Sequence, residues 1–373
     1  MARKVDLVVV GGGAMGLATA WQAAVRGHDV VLLERFERGH LQGASHGSTR
    51  NFNIAYDDGE YVDLVARARS LWDELAAVSD APLLDLVGVV NHGRSDMLGR
   101  MRELHAERGI ESELLPPADA GARWTGLRFE TEVLWVPDSG RIRAADTLAT
   151  FERIATGLGA EVSWSTPVER IEVEGDDSAR VVTADEEYVA PRVVVTAGAW
   201  TEGLVGGLAR LPRLVVTQEQ PAHFRVTDAD AVWPGFNHRP DPDAAAEAWW
   251  YGPVYGMLTP GEGVKAGWHG TGPVTDPDAR TFEPEARQFE ALRRYAREWL
   301  PGVDAETADP ISCTYTSTDT EDFVLDRVGP LVVGAGFSGH GFKFTPLIGE
   351  ILVDLVEDGE APARFRQLGR PAA

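Results

Sequence analysis

Residues 7–34 read in order as strand, glycine turn, helix, strand and acid, and no other stretch restricts the fold so tightly. Leu7–Val10 is a short apolar run. Gly11, Gly13 and Gly16 follow as G-x-G-x-x-G, with Gly12 as a further glycine. Ala14–Val25 carries Ala, Leu and Met at helical spacing, Gly27 stops it, and residues 29–33 form the next apolar run. Glu34 closes that run 18 residues after Gly16. A glycine turn lets backbone approach a pyrophosphate with no Cβ in the way. The helix N-terminus then aims N–H groups and its dipole at the negative charge. An acid at the end of the second strand accepts hydrogen bonds from a ribose 2′-hydroxyl and repels a 2′-phosphate. In this setting the motif predicts a dinucleotide site and leaves FAD and NAD both open.

The chain has 373 residues, more than one ordinary core holds and suited to two interleaved domains. Its 44% apolar content predicts a globular protein, and its net charge of −23 argues against nucleic-acid or anionic-membrane partners. Cys313 is the only cysteine, so no intrachain disulfide can form. The start Met1-Ala2-Arg3-Lys4 imitates a signal peptide, but Asp6 interrupts the apolar run, which the first strand already explains. No run approaches the length that spans a bilayer. The expectation is a soluble, cytoplasmic protein with no nucleic-acid or membrane partner.

Further along, residues 35–56 are polar and glycine-rich and read as a loop. Helical periodicity covers 61–77, 96–108 and 144–158; strand patterns cover 84–92, 133–136, 161–165 and 168–173. Residues 192–196 form a second buried strand, running into Ala197-Gly198-Ala199-Trp200. From 214 to about 272, strands rich in Trp and Tyr alternate with turns, and the stretch Trp249 to Tyr255 could line a large, flat pocket. Residues 264–269 read as a strand with Lys265, Gly267 and His269 on one face. This region predicts a mixed, largely antiparallel sheet forming a pocket wall. An amphipathic helix over 283–300 follows, then a strand over 311–318 with Cys313, Tyr315 and Ser317 on one face. Strands at 323–326 and 331–333 lead into Gly334-Ala335-Gly336-Phe337-Ser338-Gly339-His340-Gly341-Phe342-Lys343, and a helix covers 346–357. No metal site is expected.

Four separated signals resemble the monomeric sarcosine oxidase and N-methyltryptophan oxidase family, flavoenzymes related to D-amino-acid oxidase. They are the N-terminal fingerprint with Glu34; the loop His46-Gly47-Ser48-Thr49-Arg50; Lys265 to His269; and Cys313-Thr314-Tyr315-Thr316 with Gly334 to Phe344. The resemblance covers nearly the whole chain. It implies an α/β fold with a Rossmann-type FAD-binding domain from residues 1–85, 145–212 and 311–373. A substrate domain from 86–144 and 213–310 is inserted in it. It implies oxidation of a secondary amine to an imine, with O2 reduced to H2O2, in a protein acting as a monomer. FAD is expected to be covalently attached to Cys313.

The resemblance also assigns residues. Gly11, Gly13 and Gly16 approach the pyrophosphate with Ala14 and Met15 beside them, and Glu34 holds the ribose next to Arg35. Ser45, His46, Ser48, Thr49 and Arg50 contact the cofactor from the second loop, and Val168, Ala197, Gly198 and Trp200 from the central strands. Gly336, Ser338, Gly339, His340, Gly341 and Lys343 contact it from the last loop. Lys265 matches the oxygen-activating lysine, and His269 and Tyr255 match pocket residues, with Tyr251 an alternative alignment for Tyr255. Tyr315 is a further substrate contact, and Lys343 pairs with a substrate carboxylate. The chain departs at Asn53, where the family has a second carboxylate-binding arginine. A neutral amide cannot give arginine's charged, bidentate grip. A bulkier amine than an N-methyl amino acid such as sarcosine is therefore expected, with Arg141 or Arg143 as possible compensating charges. Competing readings are a flavin dehydrogenase with another acceptor, a nicotinamide-dependent dehydrogenase and a non-catalytic flavin-fold module. Lys265 separates the first of these, because only an oxidase benefits from a fixed cation where O2 is reduced.

Overall fold

A computed structural model describes residues 2–241 and 247–370. Met1, part of the signal-like start, lies outside the described residues, as do the far end of the expected 311–373 segment and residues 242–246 of the aromatic-rich stretch.

Short valine- and leucine-rich runs build a six-stranded sheet. Its order is Glu161–Ser163, Val30–Leu33, Leu7–Val10, Arg192–Val195, Leu331–Ala335 and Val324–Val328. All neighbours are parallel except the last pair. A parallel sheet is covered on both faces, which is why its inner strands are fully buried and, apart from Arg192 at the start of one, apolar throughout. Helices Ala14–Val25, Ala144–Gly157 and Thr345–Val356 cover one face. The first and last pack so closely that a Cβ on Gly349 would lie 2.7 Å from the Ala18 carbonyl. A four-stranded sheet that includes Arg170–Gly175, Ser178–Val182 and Glu187–Ala190 covers the other face.

The second large sheet has eight strands. They run Val303–Pro310, Ala222–Val226, Gly263–Trp268, Val254–Thr259, Gly235–Arg239, Val89–Gly93, Val133–Val136 and Glu113–Leu115. Only Gly235–Arg239 and Val89–Gly93 pair in parallel. Beneath one face lies helix Ala286–Trp299, whose first turn is capped by the Glu285 carboxylate accepting from the Arg287 and Gln288 N–H groups. The opposite face carries the polar residues.

Three expectations are corrected. The single strand over 84–92 is two, Leu84–Asp85 and Val89–Gly93, in different sheets. Gly88 breaks it at φ +75°, where a Cβ would lie 2.3 Å from the Trp135 indole nitrogen. The loop over 35–56 contains strand Thr49–Phe52, paired with Gly140–Arg143. Only the end of the aromatic stretch lines the pocket: Pro253, Val254 and Tyr255 face it, whereas Trp249 and Trp250 pack onto the core with Trp268, and Tyr251 is 42% exposed.

Candidate active site

A cavity of about 1630 Å³ extends from the first glycine turn to the polar face of the eight-stranded sheet. Pockets for one drug-sized ligand span roughly 300–1,000 Å³, so this space suits a dinucleotide and a second, smaller molecule.

The turn forms one end. Gly11 has φ +107°, and a Cβ there would lie 2.6 Å from the Thr196 carbonyl oxygen. Gly13, Ala14 and Met15 line the cavity, and the Ala14 N–H donates to Ser45 Oγ (3.0 Å). No acid occupies the first turn of the helix that follows, so its field favours an anion. Glu34 is buried and accepts from the Gly12 N–H (2.6 Å) and the Phe36 N–H (2.8 Å). Arg35 pairs with Asp278 (2.8 Å), and the Trp200 indole donates to the same carboxylate (2.9 Å). Val168, Ala197 and Gly198 also face the cavity. Gly16 does not. A Cβ on it would lie 1.8 Å from the Gly11 carbonyl oxygen, so this glycine lets the helix pass under the turn.

The middle is built from three segments. Arg50 donates to the Ala44 (2.7 Å) and Thr49 (2.8 Å) carbonyls and lies over the Phe342 ring. Thr49 turns its side chain away, to Thr259 Oγ1 (2.7 Å); its carbonyl accepts from Lys265 Nζ (2.5 Å). Ser48 bonds to Glu262 at the cavity wall. His46 is held neutral, its pKa pushed down to about 4 by burial and then by Arg50, and its Nε2 is buried with no partner. Half-buried Cys313 faces the cavity with Sγ 3.8 Å from the Ala44 carbonyl oxygen. Gly336, Ser338, Gly339, His340 and Gly341 complete this wall. Gly339 has φ +76°, and a Cβ there would lie 2.0 Å from the Tyr315 ring.

The polar sheet face forms the far end, in three cross-strand rows. Lys265 stands opposite Met257 and His223. Tyr255 stands between Asn237 and Gly267, and a Cβ on Gly267 would meet the Tyr255 hydroxyl at 3.1 Å. Arg239 and His269 flank Pro253, to which the His269 N–H donates (2.8 Å). Tyr255 lines the cavity and Tyr251 does not. Lys265 and Lys343 are buried, and burial pulls each pKa down to about 7, with Arg50 adding to the effect on Lys265. Lys343 Nζ donates to Tyr56 Oη (2.8 Å) and the His340 carbonyl (3.0 Å). His269 is held near a pKa of 4 by burial, then by Arg239 and Lys343; its Nδ1 lies 3.3 Å from Tyr315 Oη.

Asn53 faces the cavity but belongs to a chain of amides. Its Nδ2 donates to the Ala55 carbonyl and Asn91 Oδ1 (both 3.2 Å), Asn237 donates to Asn91 Oδ1 (2.9 Å), and Asn51 donates to Asn237 (3.0 Å). Arg141 and Arg143 both pair with Asp85, so neither supplies a free charge. Tyr56, Asn91, Asn237 and Arg239 were not anticipated. The sequence signal for the last pair is their two-residue spacing on one strand. Among the described residues no cluster of His, Cys, Asp or Glu is placed to hold a metal, and no helix is long and apolar enough to cross a membrane.

The site fits FAD: a Cβ-free turn at a helix N-terminus, a buried acid one strand over, and a thiol and a partnerless imidazole nitrogen further along the same cavity. The family model for FAD dependent oxidoreductases matches residues 6–355, and the chain belongs to that family. The monomeric sarcosine oxidase of Bacillus sp. (strain NS-129) is 31% identical over 376 residues, spanning 96% of this chain and 95% of that one. N-methyl-L-tryptophan oxidase of Citrobacter koseri is 32% identical over 372 residues, spanning 96% of each. Among solved structures, NikD, an unusual amino acid oxidase essential for nikkomycin biosynthesis, is similar with a TM-score of 0.86 and 29% identity over 98% of each chain.

Proposed function

We propose that this protein oxidises a secondary or cyclic amine to an imine, which water hydrolyses, and that O2 takes the electrons and leaves as H2O2. The observation that carries this reading is the pair of buried lysines, Lys265 and Lys343, in one cavity continuous with the glycine turn. FAD, when bound, supplies the two-electron acceptor for the CH–NH bond. Glu34 receives the ribose, and the first-turn N–H groups face the pyrophosphate. Cys313 is the attachment point. Lys265 supplies a cation in a dry setting where negative charge develops on O2, which favours an oxidase over a dehydrogenase with another acceptor. His269, neutral at pH 7, presents an uncharged ring to the amine. Lys343 faces the substrate's acid group. Residues 1–85, 145–212 and 311–373 form the cofactor domain, and 86–144 and 213–310 the substrate domain. The protein acts as a monomer in the cytoplasm, with similarity to a monomeric sarcosine oxidase and the single cysteine in support.

The amine is bulkier than sarcosine. The amide of Asn53 is neutral and its Nδ2 already donates within the protein, so it offers a small substrate's carboxylate neither a charge nor a free donor. The missing charge-assisted bond is worth about 1.5–3 kcal/mol, or more than tenfold in affinity. Similarity to N-methyl-L-tryptophan oxidase supports the larger substrate. H2O2 release over N-methyl amino acids, cyclic imino acids, glycated amines and amines without a carboxylate tests both points. A bulkier amine should give the highest kcat/KM; a sarcosine value at least equal to every other contradicts the substrate assignment. On acid precipitation the flavin colour should stay with the wild-type pellet and leave it in Cys313→Ser. Colour wholly in the wild-type supernatant rules the attachment out.

A further inference from the structure

Five arginines line the cavity, in a chain of net charge −23, and four have protein partners. Arg35 pairs with Asp278, Arg38 with Glu152, and Arg364 with Asp58 and Asp322, while Arg50 is held by backbone carbonyls. Arg239 makes no side-chain hydrogen bond or ion pair among the described residues. Its backbone, by contrast, is fixed. Arg239 pairs with Gly93, where a Cβ would lie 1.9 Å from the Arg239 carbonyl oxygen, and that oxygen accepts from the Arg94 N–H (3.2 Å). The strand therefore holds an exposed, partnerless guanidinium among the residues that line the cavity, on the same sheet face as Tyr255, Lys265 and His269.

We infer that Arg239 is the carboxylate-binding arginine of this site, in place of the charge that Asn53 lacks. The inference rests on the amine-oxidase reading and names the part of the substrate that this wall recognises. Arg239 and His269 stand in one row with Pro253 between them, so their Cα atoms lie about 10 Å apart. Lys265 stands two rows further along, about 14 Å down the strands. An acid group on Arg239 therefore lies far from Lys265, and the amine lies between the two cations. Arg239 and Lys343 both add to the burial that holds His269 neutral, so an acid group on Arg239 meets an uncharged imidazole. This placement sets the carboxylate further along the wall than Asn53 and its amide chain, which agrees with a substrate longer than sarcosine. A guanidinium with no protein partner has all its donors available for a bidentate carboxylate.

Calorimetric titration of the flavin-loaded protein with 2-furoate and its uncharged counterpart 2-furamide reads this directly, alongside the flavin absorbance change. Arg239→Gln should weaken 2-furoate at least tenfold and change 2-furamide less than twofold. Arg239→Lys should fall between wild type and Arg239→Gln for 2-furoate, since an ammonium keeps the charge and loses the paired donors. Equal 2-furoate affinity in wild type and Arg239→Gln overturns the inference, as does equal weakening of both ligands. Either result, in a protein that still oxidises amines, leaves the oxidase reading standing. A protein that holds no flavin removes that reading and the inference with it.

Discussion

Lys265 joins chemistry and electrostatics in one side chain. Its ammonium is buried, donates to the Thr49 carbonyl, and has a pKa near 7 instead of the usual value above 10. It is mostly cationic below pH 7 and mostly neutral above it. A preorganised cation beside a developing negative charge is worth about 2.7–4 kcal/mol, or roughly 10²- to 10³-fold in rate. Lys265→Met should slow reoxidation by O2 by that factor and leave anaerobic reduction by the amine much less affected. The wild-type reoxidation rate should fall as pH rises through about 7, and the variant's should stay flat. Stopped-flow reoxidation measures both, and unchanged reoxidation in Lys265→Met contradicts the role. Strand alternation made Lys265, Gly267 and His269 readable as one face. Arg239 was not readable. Its strand buries Phe236 and His238 behind it, and His238 packs among Trp250, Tyr295 and Trp299. A histidine on the core side erases the apolar alternation that marks a strand.

At the scale of elements, the first turn and helix show why the fingerprint glycines are not interchangeable. Gly11 needs its positive φ, whereas Gly16 needs only the absence of a Cβ beneath the Gly11 carbonyl. Gly16→Ala forces the helix away from the turn. Overpacking of this kind costs about 1–3 kcal/mol, and here it also moves the N–H groups that face the cofactor. Urea unfolding should show that loss, with flavin content reduced in the purified protein; wild-type stability and full flavin content contradict it. The inner parallel strands were readable because both their faces are buried and their sequences are apolar but for Arg192. Thr49–Phe52 and Gly140–Arg143 were not. Each has four residues and mixes half-buried polar groups with fully buried ones. The apolar run over 84–92 misled because a turn at Gly88 hands it from one sheet to another.

Across the whole molecule, the cavity lies where segments far apart in the chain meet. The Lys265–Thr49 bond spans 216 residues, and Lys343 reaches Tyr56 across 287. Such pairings leave no local periodicity, so the residue types of the site could be read from the chain while its hydrogen bonds could not. The amide chain through Asn53 and the ties of Arg141 and Arg143 to Asp85 belong to this group. One measurement bears on the central claim, that this cavity holds a flavin which an amine reduces. Absorbance of the purified protein is followed under anaerobic conditions while the best H2O2-releasing amine is added. The flavin spectrum should bleach at a rate that saturates with amine and return when O2 is admitted. A colourless folded protein, or a flavin spectrum that no amine alters, contradicts the claim.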